Sequence, residues 1–334
     1  MISGSIQPAS LPLVTIGMPV YNSAWSLDKV LDAIVKLDYP KNQLRIVFVD
    51  NGSKDDSRNI LKHFRSLHER EYEQIQIQEF SPPSISLARN IVIDNATGTD
   101  YIFFVDADIV VPDKSLKNLI KDFGMGNDIG MTAVPCDYEN ASRRAGLLYR
   151  AFVRPVGIVE AAKVGAGCTL ISARALEAIG KFNVKLRVHE DAEYCFRLRR
   201  NGLKILCDLT FRAYHLRQIT SNANYYVKFI LQSSSTYAQM LRLRSRLHYA
   251  KVASSLCVSL SLVLLILFPH SLLIDLSILL ASLVFASWSN LNKRVMDDGS
   301  SVKKPYWPIM GVVMTALVTI VVWIAIARLA TNKD

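Results

Sequence analysis

The chain has 334 residues, with 39 Lys and Arg against 29 Asp and Glu, a formal net charge of +10, 50% hydrophobic residues and a mean hydropathy of +0.20. That combination excludes an intrinsically disordered polypeptide, a coiled coil and a disulfide-stapled miniprotein. The cysteines, Cys136, Cys168, Cys195, Cys207 and Cys257, are odd in number and form no C-x-x-C pair. They indicate neither a zinc site nor a disulfide framework, and they suit a reducing compartment.

In chain order, residues 13–18 (LVTIGM), 44–49 (LRIVFV) and 101–105 (YIFFV) are short apolar runs bounded by turn or polar residues, which read as buried strands. Between the first two, Leu27, Val30, Leu31 and Ile34 form a helical stripe with Ser26 as its N-cap. Further helices are expected over 55–70 and 86–94. Strand and helix alternate through short connections, so residues 1–220 are read as one α/β domain, a mostly parallel sheet with helices on both faces.

In such sheets ligands bind beyond the carboxyl ends of the strands. Each predicted strand runs into polar residues there: Pro19-Val20-Tyr21-Asn22, Asp50-Asn51-Gly52-Ser53 and Asp106-Ala107-Asp108. Any one of these alone is equally well a turn; it is the convergence of three on one rim that marks a site. Asp106 and Asp108, two apart in an extended segment, point the same way. Two carboxylates held together repel, and a hard divalent cation, Mg²⁺ or Mn²⁺, is the simplest compensation. Further on, His189-Glu190-Asp191 opens an amphipathic helix. Carboxylates there cap the helix and suit its dipole; equally, Asp191 suits a general base that deprotonates an acceptor hydroxyl. Residues 140–163 are basic and apolar, which fits either an acceptor lid or a solvated surface helix.

The apolar surplus lies at the C-terminal end. Residues 252–268 and 306–327 carry no charge, and 272–288 carries only Asp275, so three membrane spans are expected over residues 251–334. Residues 221–250 mix aromatics with arginines and suit amphipathic helices at the lipid interface. Arg242, Arg244, Arg246 and Lys251 precede the first span, and Lys293, Arg294, Lys303 and Lys304 fill the second loop. The positive-inside rule therefore puts the α/β domain on the cytoplasmic face of a multi-pass membrane protein. No signal peptide is expected at MISGSIQPAS. The basic charge suits membrane lipids, and no motif supports a nucleic-acid partner.

The succession PVYN, VDNGS, SLARN, FFVDAD, GAGCTLISARALEAIG and HEDAEYCFRLRRNG resembles the inverting family-2 glycosyltransferases with the GT-A fold, over about residues 11–215. The resemblance implies an inverting, metal-dependent transferase that uses a UDP- or GDP-linked sugar donor and Mn²⁺ or Mg²⁺, here anchored by the expected membrane spans. By position it implies that Asp50 contacts the donor base, with Pro19, Tyr21, Asn22 and Ser53 about the nucleotide and Arg89 on the donor. It also implies Asp106 and Asp108 at the metal and diphosphate, and Asp191 as the base. His215 falls where some such enzymes have a further metal ligand; a structural histidine is the competing reading. Asn51 stands where many members have a second Asp, and no Q-x-x-R-W motif follows His215, which argues for adding one sugar at a time. The expected acceptor is a hydroxyl of a lipid-linked glycan or glycolipid. The alternatives are a polyisoprenyl phosphate and a non-catalytic nucleotide-sugar-binding protein.

Overall fold

The computed structural model describes residues 11–138, 157–186 and 189–216. The expected spans at 252–268, 272–288 and 306–327, the interfacial helices at 221–250 and most of the 140–163 segment lie outside them. Among the described residues no helix is long and apolar enough to cross a membrane. The chain forms two compact units. The first holds both sheets described below, and the described residues of the second are 185, 186 and 189–193.

The strands of the main sheet are β1 (Val14–Val20), β2 (Leu44–Asp50), β3 (Gln74–Glu79), β4 (Tyr101–Val105), β6 (Ile129–Ala133), β8 (Ile158–Glu160), β9 (Cys168–Ser172) and β10 (Lys204–Asp208). Their order is β3-β2-β1-β4-β9-β6-β10-β8. Strands β3, β2, β1 and β4 are mutually parallel, whereas β9 runs antiparallel between β4 and β6, and β8 antiparallel on β10. The sheet is therefore mixed, and the YIFFV run is its fourth strand in chain order. Of these eight strands the sequence reading gave β1, β2 and β4; among the others, β3 is the QIQIQE edge segment, whose alternation of Gln and Ile is the period-two pattern of a half-buried strand. A small second sheet joins β5 (Ile109–Val110), β11 (Ala213–His215) and β7 (Cys136–Tyr138).

The helices are α1 (Ala24–Val35), α2 (Ser57–His68), α3 (Ile85–Asn95), α4 (Ser115–Phe123), α5 (Ala173–Ile179) and α6 (Glu190–Arg200). Because side chains alternate along a strand, the main sheet has two apolar faces. One, with Ile16, Phe48 and Phe103, is covered by Leu27 of α1, Leu61 of α2 and Leu116 of α4. The other, with Val47, Phe104 and Ile171, is covered by Val92 of α3, Ala175 of α5 and Leu198 of α6. Gly17 lets α3 approach, since a Cβ there would stand 2.3 Å from Cγ1 of Val92. The N-cap of α1 is Ser23. Ser26 lies inside the helix instead, donating its hydroxyl to the carbonyls of Ser23 (3.0 Å) and Ala107 (2.8 Å), a tie between α1 and the Asp106–Asp108 turn.

Asp122 of α4 is only 3% exposed, and its Oδ2 has no hydrogen-bond partner. Burial, and then the nearby charge of Asp208, push its carboxyl up from 3.8 to about 7. The folded state therefore retains a proton that the unfolded chain releases above its own lower pKa, so stability falls as pH rises from about 4 to 7. Asp122→Asn should raise the melting temperature at pH 8 and have little effect at pH 4. The gain at pH 8 should be a few kcal/mol, at most about 4. An equal effect at both pH values would mean that Asp122 does not titrate in this window.

Candidate functional site

The four parallel strands β1 to β4 end at one edge, and side chains satisfy the polar backbone there. Asn22, with φ of 49°, turns the chain out of β1. Its amide donates to Oγ of Ser53 (3.0 Å), and its Oδ1 accepts from the amide of Lys54 (2.8 Å). The amide of Asn51 donates to the carbonyl of Val20 (2.8 Å), and Oδ1 of Asn51 accepts from the amide of Ser84 (2.8 Å) at the start of α3. The first ends of α1, α2 and α3 are thus bound to the same rim.

The structure places the residues expected about a nucleotide unevenly. Tyr21 is 48% exposed at the rim, whereas Pro19 is buried in β1 beside Val49 of β2. Asp50 is fully buried and engaged. Its Oδ2 accepts from Nε (3.1 Å) and Nη2 (2.8 Å) of Arg58, and its Oδ1 accepts from the amide of Ser53 (3.1 Å). Arg58, in the first turn of α2, also reaches Glu79 at 3.3 Å and keeps 40% of its side chain in solvent. The group that β2 presents outward is therefore the Arg58 guanidinium. No motif in the sequence marks Arg58, because its pairing with Asp50 exists only once α2 folds back over the strand end.

Beyond β4 the exposure is reversed. Arg89 of α3 is 3% exposed and donates through Nη2 to Oδ1 of Asp106 at 3.1 Å, whereas the Asp106 side chain is 32% exposed. The amide of Asp106 donates to the carbonyl of Gly167 (3.0 Å), just before β9. A Cβ at Gly167 would fall 2.7 Å from Oδ2 of Asp106 and 2.5 Å from Cδ1 of Ile109. A side chain at position 167 would therefore displace this carboxylate, which is the physical content of the GAGC motif.

Asp108 is brought to His215. The amide of Leu216 donates to the carbonyl of Asp108 (2.8 Å), β11 pairs with β5, and Nε2 of His215 stands 3.7 Å from Oδ1 of Asp108. The nitrogen and oxygen of this pair are a suitable donor set for a divalent cation, with Asp106 two residues away. Among the described residues no cluster of three or more His, Cys, Asp or Glu side chains is arranged to hold a metal. A Mg²⁺ ion typically takes only one or two carboxylates and completes its shell with substrate phosphates and water, so an incomplete protein shell fits such use.

Asp191 stands in the first turn of α6 with Glu190 and Glu193, and Arg197, Arg199 and Arg200 occupy the last turn. Its Oδ1 accepts from the amide of Ala192 at 2.7 Å. This charge order complements the helix dipole, the part of the helix-terminus reading of Asp191 that the charges support.

A family model described as glycosyl transferase family 2 matches residues 15–201. The chain belongs to that family. Glycosyltransferase AglE of Haloferax volcanii is 30% identical over 138 residues, 41% of this chain and 44% of that protein. Poly(ribitol-phosphate) beta-N-acetylglucosaminyltransferase TarS of Staphylococcus aureus is 28% identical over 101 residues, 30% of this chain and 17% of that one. The match thus spans less than half the length of either curated relative. The mannosyltransferase PcManGT from Pyrobaculum calidifontis, solved with GDP-Man and Mn²⁺, superposes with a TM-score of 0.60 at 17% identity, over 98% of this chain and 89% of that one. At that identity the likeness shows a shared fold, and the eight-stranded α/β sheet is consistent with GT-A.

For a family-2 transferase, Gly167→Ala is a specific test of the rim, because the added methyl displaces the Asp106 carboxylate. Sugar transfer should fall on the order of tenfold to hundredfold, as small misplacements of reacting groups do, with the far-ultraviolet circular dichroism retained. Unchanged transfer would show that the position of Asp106 is unimportant.

Proposed function

We propose that the chain moves one sugar, with inversion at the anomeric carbon, from a UDP- or GDP-linked donor to a hydroxyl of a lipid-linked glycan or glycolipid at a membrane surface. The observation that carries this reading is the rim itself: Asp106 held by Arg89, with Asp108 beside His215, where the parallel strands end in a family-2 chain. The mannosyltransferase of like fold was solved with a nucleotide sugar and Mn²⁺, which supports a donor of that class and a divalent cation.

Asp108 and His215, with Asp106, are the residues to hold the cation. Bound there, it would offset the negative charge that grows on the leaving diphosphate. Arg89 keeps the Asp106 carboxylate oriented from behind. Inversion in one displacement needs a single base, the role given to Asp191. It takes the proton of the acceptor hydroxyl while the acceptor oxygen bonds to the anomeric carbon. The bond from that carbon to the diphosphate oxygen breaks, and its electron pair leaves with the diphosphate.

The membrane part of the reading rests on the uncharged runs at 252–268 and 306–327 and on the basic residues around them. These put the catalytic domain on the cytoplasmic face, within reach of an acceptor carried by lipid.

The test uses the full chain in detergent with a panel of UDP- and GDP-sugars and lipid-linked acceptors. Transfer should be lost in EDTA and restored by Mn²⁺ or Mg²⁺. Asp191→Asn should keep donor binding, read as a rise in melting temperature with added donor, yet lower transfer to a hydroxyl by about 10²–10⁴-fold. Full transfer in that variant removes the base assignment. Transfer to polyprenyl phosphate alone replaces the hydroxyl acceptor, and donor binding without transfer to any acceptor identifies a binding protein.

A further inference from the structure

Phe182 lies in the connection between α5 and α6, outside every motif to which the sequence assigns chemistry, and is 3% exposed. Its ring stacks on Tyr194 of α6, with centroids 4.3 Å apart and planes at 22°. Phe104 of β4 meets it edge-on at 5.8 Å and 88°. The guanidinium carbon of Arg89 stands 5.6 Å from its centroid. The backbone is held as firmly as the ring: Nδ2 of Asn90 donates to the carbonyl of Phe182 (2.9 Å), and the amide of Phe182 donates to Oδ1 of Asn90 (2.8 Å). Arg197 of α6 donates to the carbonyls of Ile179 and Lys181 just before it. Consecutive residues of α3, Arg89 and Asn90, therefore engage the ring and the backbone of the same residue.

That duplication is more than packing requires. A buried aromatic fills space whichever way its ring faces, but a cation near its ring is drawn to the negative face, and more strongly where water is excluded. Arg89 is the cation here, and its Nη2 is the group that donates to Asp106. We propose that Phe182 is a positioning residue, an aromatic platform that orients the Arg89 guanidinium on Asp106 and so sets that carboxylate toward the cation that the donor diphosphate would share. The inference rests on the reading of Asp106 as part of the donor site.

The test compares wild type, Phe182→Leu, Arg89→Lys and the double variant in the full chain, with calorimetric titration of UDP and GDP in Mn²⁺ beside donor KM and kcat. Phe182→Leu should weaken diphosphate binding and raise donor KM about tenfold, as should Arg89→Lys, while uridine and guanosine bind as in wild type. The double variant should be no worse than Arg89→Lys alone, since residues that act through one another are not additive. Losses that multiply in the double variant, or wild-type binding in Phe182→Leu, overturn the platform. Should Phe182→Leu not fold, fluorinated phenylalanines at position 182 keep the shape and progressively empty the negative ring face. Binding should then fall stepwise with fluorination, and a flat series overturns the proposal. A wild-type chain that binds neither UDP nor GDP unseats the donor reading and the platform with it, whereas normal wild-type binding with unaffected variants unseats the platform alone.

Discussion

The parallel alignment of β1, β2, β3 and β4 is the constraint from which the site follows. Parallel strands finish on the same edge, so the chain leaves the sheet there four times in one direction, each time with backbone groups that lack a ladder partner. Asn22, Asn51 and Ser53 satisfy those groups with their side chains. Through Ser84 the same polar residues tie the rim to the start of α3. What reads in the sequence as turn punctuation is, in the fold, a set of reciprocal bonds between strand ends distant in sequence.

Two acids on this rim have opposite fates. At the end of β2 the acid is buried and its arginine faces solvent; after β4 the arginine is buried and its acid faces solvent. Buried ion pairs contribute little net stability, because desolvation offsets the attraction, but removing one partner leaves an uncompensated charge. Their value here is geometric. Each pair holds one member rigid, so that the other is presented at a defined place. The rim thereby offers a cation near β2 and a carboxylate beyond β4.

The strands β1, β2 and β4 were legible because each is a compact apolar run with turn residues at its end. The other five strands of the main sheet were not read; among them β3 lies at an edge, and its alternating Gln and Ile make no continuous apolar run. The insertion of β9 between β4 and β6 was equally hidden, because strand direction depends on which neighbours pair and not on the composition of the strand. At the site, Asp106 and Asp108 stood out by spacing. Arg89 and His215 were marked only through the family resemblance, and neither pairing was legible: Arg89 meets Asp106 across 17 residues, and His215 reaches Asp108 only because β11 pairs with β5.

The residue types and local periods of the chain were sufficient to determine an α/β domain, a polar rim at the strand ends and the apolar C-terminal segments, since each is a property of neighbours in sequence; that residues 106–109 form a turn and not an extended segment was not among them. Tertiary structure alone decided which acid is sealed off and which is presented, that a side chain at Gly167 would press on Asp106, and that Phe182 lies beside Arg89. Those outcomes depend on distances between segments far apart in the chain, and burial and charge pairing come into being only when the segments meet.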